Sequence, residues 1–184
     1  SGDALVVPPG YVATALAPWG EPIGIPGNMP AFKPDASNSA AEQAVQLGMH
    51  HDGLAYFPLD GNLLDNRSSR GLIALNHEYT DDGLLHVGGF ANMNAEKVRK
   101  AQNAHGLSVY EVQRVGDTWE MVRPSKYARR FTMETPFLLT GPAAGHPMMR
   151  TAVDPGGRTV RGTLNNCGTG KTDRKSTRLN SSHQ

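Results

Sequence analysis

The sequence predicts an all-β chain built as part of a β-propeller, with one short inserted helix, and three observations predict it. Glycine (21) and proline (13) make up nearly a fifth of the 184 residues, which favours many short strands joined by turns. Long runs of helical periodicity are scarce. Short apolar segments recur instead, separated by polar turn residues, and repeated antiparallel meanders are the pattern of propeller blades, four-stranded sheets of roughly 40 to 50 residues. A β-sandwich shares the short strands and stays open at this level.

The elements follow in order. "GLAYFPLDG" (53 to 61) and "RGLIALNHEYT" (70 to 80) are partly alternating apolar runs around a polar turn, "NLLDNRSS", and read as paired strands. Residues 91 to 106 read as an inserted helix, with Asn94 as N-cap, Glu96 in the first turn and Gly106 as the stop. "LSVYEVQRVGDTWEMV" (107 to 122) alternates on each side of Gly116-Asp117 and reads as a hairpin that completes the meander. Residues 129 to 166 read as a loop leading into another hairpin that turns at "DPGG" (154 to 157).

Composition excludes several classes of function. A formal charge of +1 supplies no broad field for nucleic acid or an anionic membrane, so neither is expected as a partner. No run of about 18 apolar residues is present to span a bilayer. A single cysteine forms no internal disulfide and assigns no compartment. The first residues, "SGDALVVPPGY", lack the basic start and apolar core of a targeting peptide.

The carboxyl-terminal run is read separately. "DRKSTRLNSSH" (173 to 183) has no apolar periodicity, and it matches residue for residue the in-frame translation of a sequencing-library adapter. The expectation is a natural segment over residues 1 to 172 and a non-native, disordered tail over 173 to 184. "GTGKT" just before it is not a phosphate loop. Counting back from Gly170-Lys171-Thr172, the required first glycine falls on Asn165, and the helix that should follow would have to come from the tail.

Three polar clusters sit where a loop meets a strand: "MHHDG" (49 to 53), "NHEYT" (76 to 80) and "NNC" (165 to 167). Such positions gather at the mouth of a propeller channel, where oxygen, imidazole and thiolate groups can meet a metal. No zinc pattern occurs, since neither His-x-x-x-His nor His-Glu-x-x-His is present. His50 and His51 read as turn histidines holding backbone groups. Glu78, a carboxylate at the end of an apolar strand, needs solvent or a partner and is a candidate metal ligand. Cys167 alone reads as a small core residue.

The blocks "VPPGYVATALAPWGEPI" (7 to 23), "GMHHDGLAYFPL" (48 to 59), "LNHEYT" (75 to 80), "GLSVYEV" (106 to 112), "TGPAAGHP" (140 to 147) and "GTLNNCGTGKT" (162 to 172) occur in the order seen in PhoX-type alkaline phosphatases, and the chain resembles that family over residues 5 to 172. The resemblance implies a six-bladed propeller, of which this chain holds about two to three blades, with iron and calcium at its axis. It also implies hydrolysis of phosphate monoesters, twin-arginine export, a periplasmic or secreted location and a monomeric whole protein. On that resemblance Cys167 supplies a thiolate to iron, while Asn165 and Asn166 orient its loop. No protein nucleophile is implied, and most carboxylate ligands are expected beyond this chain, which by itself should be inactive. The alternative is a non-catalytic propeller that binds a ligand or partner.

Overall fold

In the computed structural model, residues 4–60, 68–172 and 176–179 are described. The centre is an antiparallel meander, β1 (His51–Pro58), β2 (Arg70–His77), β3 (Gly106–Val115) and β4 (Thr118–Met121), hydrogen-bonded in that order. The strands begin and end within a few residues of the alternating runs. The polar turn between the first two falls mostly outside the described residues. A fifth strand, β5 (Arg129–Phe131), pairs with the amino-terminal half of β3 on the edge whose other half carries β4.

Register explains which side chains form the core. Tyr56 lies opposite Ile73, and Ile73 opposite Tyr110, so these three share one face of the sheet. That face, with Leu75 and Val112, packs on Ile23 and Leu47 from the irregular segment that precedes β1. The segment is therefore a covering layer for the sheet, and the lack of strand alternation before residue 51 follows from that role.

The insertion between β2 and β3 carries two helices, α2 (Asp82–Leu85) and α3 (Ala95–Ala104), the second being the helix expected from the sequence. Asn94 caps it, its side chain accepting from the Lys97 N–H at 3.0 Å. Glu96 Oε1 accepts from the Ala40 N–H at 2.7 Å and ties α3 to α1 (Ala40–Gln43), itself closed by a Ser39–Glu42 capping box. At the other end Arg130 donates to the carbonyls of Asn103 and His105 at 2.8 and 2.7 Å, satisfying acceptors that the last helical turn leaves open.

Two further ladders complete the described structure. β6 (Pro136–Leu138) pairs with β7 (Thr159–Arg161), flanking the "DPGG" turn, and β8 (Thr169–Thr172) pairs with β9 (Ser176–Leu179). One complete blade-like sheet is thus accompanied by two partial ladders. β9 departs from the expectation of a tail without structure over residues 173 to 184. Pairing with β8 satisfies backbone donors and acceptors and needs no apolar periodicity, whose absence is the ground for expecting disorder. The other residues of that tail lie outside those described.

Candidate metal centre

The site forms where β1 and β2 part. His51 pairs with His77 and Leu54 with Leu75, so Asp52 and Gly53 together stand opposite the single residue Asn76, a β-bulge. The bulge frees the Gly53 N–H from the ladder, and it donates to the Cys167 carbonyl at 3.1 Å. The Asn76 amide donates to the same carbonyl at 2.5 Å. Only glycine permits this approach. A Cβ on Gly53 would stand 2.5 Å from Thr169 Cγ2, 2.6 Å from the Thr169 nitrogen and 2.7 Å from the Cys167 oxygen.

Glu78 follows the last residue of β2. Its N–H donates to the His50 carbonyl at 3.0 Å, and its own carbonyl accepts from Asn165 Nδ2 at 3.3 Å. Asn165 takes a left-handed backbone conformation (φ 53°), which asparagine tolerates better than most side chains. Asn166 is buried and donates to Thr163 Oγ1 at 2.6 Å. Both asparagines thus hold the loop that delivers Cys167.

The outcome is a cluster. One ligand atom from each of Asp52, Glu78 and Cys167 lies within 4.8 Å of the other two. The three come from the three polar blocks noted in the sequence. Glu78 and Cys167 were candidates there, and Asp52 was missed. The available signal was its place in "MHHDG", a carboxylate at a loop–strand junction like Glu78; its weight depends on the bulge, which local alternation does not display. The neighbouring histidines stay out of the cluster. His51 Nε2 meets the Gly48 carbonyl at 3.1 Å, and the His50 ring lies edge-on to Tyr79. His77 is fully buried on Ser108 Oγ (2.7 Å) and the Gly48 N–H.

The electrostatics of the cluster suit a cation. A hydrogen bond with Asp52, burial, and the charges of Asp52 and Glu78 push the Cys167 thiol up to about 11. Two carboxylates and a thiol held this close oppose thiolate formation, and a bound cation reverses that balance. The donor set also has mixed chemistry. The sulfur suits ferric iron or another thiophilic ion, whereas the carboxylates suit calcium or iron, so these residues fit a share of an iron and calcium centre.

The family model described as alkaline phosphatase PhoX matches residues 1–176. The solved structure of Pseudomonas fluorescens PhoX in complex with vanadate, a transition state analogue, superposes with a TM-score of 0.81 at 41% identity, over 91% of this chain. The chain spans 28% of that protein's length. A comparison with curated proteins returns no match. Among the described residues no helix is long and apolar enough to cross a membrane. With the family model covering nearly its whole length and a propeller-like relative sharing its fold, the chain belongs to the PhoX alkaline phosphatase family.

Proposed function

We propose that the protein carrying this chain hydrolyses phosphate monoesters to inorganic phosphate, and that Asp52, Glu78 and Cys167 are this chain's share of its metal centre. The observation that carries the reading is the convergence of the three ligand atoms within 4.8 Å. Cys167 is the iron ligand in this proposal, and Asp52 and Glu78 are carboxylate ligands able to serve iron or calcium. Small phosphate esters are the substrates, and export to the periplasm or beyond, by the twin-arginine route, is the location. The family relationship supports these last points.

The residues of this chain have separable tasks. The bulge aims the Asp52 carboxylate, the end of β2 sets Glu78, and the loop held by Asn165 and Asn166 delivers the thiol. When bound, the metals would neutralise charge on the phosphoryl group and acidify a water for attack on phosphorus.

The test uses the complete gene product with p-nitrophenyl phosphate. Metal-replete protein is expected to turn over, to lose activity on chelation, and to lose both bound iron and activity in Cys167→Ala. An inactive metal-replete protein, or a Cys167→Ala variant with full iron and full turnover, would reject the proposal.

A further inference from the structure

We infer that Asn76 is a positioning residue for the metal centre: through the Cys167 carbonyl, its amide fixes where the Cys167 sulfur stands relative to Asp52 and Glu78. The inference rests on the proposed metal-centre reading and goes beyond it, since that reading names only Asp52, Glu78 and Cys167 as ligands.

Three observations carry it. Asn76 is fully buried at the point where β1 bulges, so its side chain is presented to the site by the same irregularity that displaces Asp52. Its Nδ2 donates to the Cys167 carbonyl at 2.5 Å, across 91 positions of sequence, and joins the Gly53 N–H on that one oxygen. Two donors converging on one carbonyl restrain the orientation of that peptide far more than one does, and the thiol is carried on the same residue. Finally, Asn76 Oδ1 has no hydrogen-bond partner among the described residues although the side chain is fully buried. An unsatisfied buried acceptor costs stability, and leucine would fill similar space without it. A polar residue kept at that cost is explained by the bond its other end makes.

The chemistry is that of an outer group orienting an inner one. Loss of such partners typically lowers metal affinity by about 10- to 100-fold. Asn76→Leu removes the donor and preserves bulk. Asn76→Ser removes the amide without adding bulk, and serves if the leucine variant does not fold.

The experiment follows Cd2+ titration of the metal-free complete protein by thiolate-to-cadmium charge-transfer absorbance, with Cys167→Ala as reference and circular dichroism as the check on folding. The parent is expected to develop a band that Cys167→Ala lacks. In folded Asn76→Leu or Asn76→Ser, Cd2+ affinity is expected to fall about 10- to 100-fold, with a weaker band per bound ion at saturation. A purely structural role would leave the intensity per bound ion unchanged. A Cys167-dependent band of parental affinity and intensity in either folded variant overturns the inference and leaves the metal reading standing. A parental band that persists in Cys167→Ala overturns the metal reading itself.

Discussion

Gly53 donates its backbone N–H to the carbonyl oxygen of Cys167 at 3.1 Å, and no other residue fits at that position. This contact joins the first strand of the sheet to the segment that carries the chain's single cysteine.

Gly53→Ala is therefore expected to displace β8 from β1. The added methyl would meet backbone atoms of Thr169 and Cys167, which cannot swing aside as a flexible side chain would. A loss of about 1 to 3 kcal/mol in urea unfolding should accompany loss of bound iron. Unchanged stability and iron content would show that β8 accommodates the methyl.

Asp52→Asn should lower the titration of the Cys167 thiol. The hydrogen bond with Asp52 is the largest cause holding it up at about 11, and Asp52's charge adds to it. With the charge removed and the carboxylate acceptor replaced by a weaker amide oxygen, more thiolate is present at any given pH below that value, so alkylation by iodoacetamide at pH 8 in metal-free protein should accelerate about tenfold. Iron binding should fall in the same variant because a proposed carboxylate ligand is gone. An alkylation rate equal to the parent's would contradict the raising effect ascribed to the Asp52 carboxylate.

Stability should depend on the histidines around Arg130. Burial holds His77 well below its ordinary value and also lowers His51 and His105, with the Arg130 charge acting in the same direction on all three. A histidine depressed in the folded state favours the neutral ring, so its contribution is fully present above the unfolded value near 6.5 and is lost as pH falls below it. Tm is expected to drop between pH 7 and pH 5, and His77→Gln should flatten that slope. A parental slope in His77→Gln would move the effect elsewhere.

Arg130 is expected to resist replacement even by lysine. Its guanidinium donates to the carbonyls of Gln46, Asn103, His105, Leu107 and Phe131, a set that a planar fork can satisfy and an ammonium cannot. Burial brings it down to about 9, so it remains charged at neutral pH. Arg130→Lys should cost about 3 kcal/mol or more in chemical denaturation, because several carbonyls lose their donors. A cost under about 1 kcal/mol would show that water replaces the fork.

The chain of 184 residues expressed alone should show no phosphatase turnover, since it spans 28% of its solved relative and one cluster of three ligands does not make a multinuclear centre. Poor solubility is expected with it, because Leu138, Met148 and Val153 are largely exposed. Soluble material that hydrolyses p-nitrophenyl phosphate would refute this.

The parts of the fold legible in the sequence are those governed by neighbours along the chain. The apolar positions Tyr56, Ile73, Leu75, Tyr110 and Val112 mark β1 to β3 because they line the sheet face that packs on the core. Asn94 marks the start of α3 because a cap acts within three residues. Glu78 and Cys167 stood out by residue type and by resemblance. Asp52 did not, because the bulge that displays it depends on the β1–β2 register, and Arg130 did not, because its acceptors are scattered from Gln46 to Phe131. β9 was missed since backbone pairing leaves no mark in apolar periodicity.

The positions of the three clustered residues also impose an order in time. Asp52 and Glu78 lie at the open end of one hairpin, and β1 and β2 are complete once residue 78 has been synthesised. The thiol arrives 89 residues after Glu78, by which point the whole meander has left the ribosome. During that interval the cluster has its pair of carboxylates without the sulfur, the donor that most favours thiophilic ions. In the proposed centre the sulfur is thus the last donor to be added, after the sheet that carries both carboxylates.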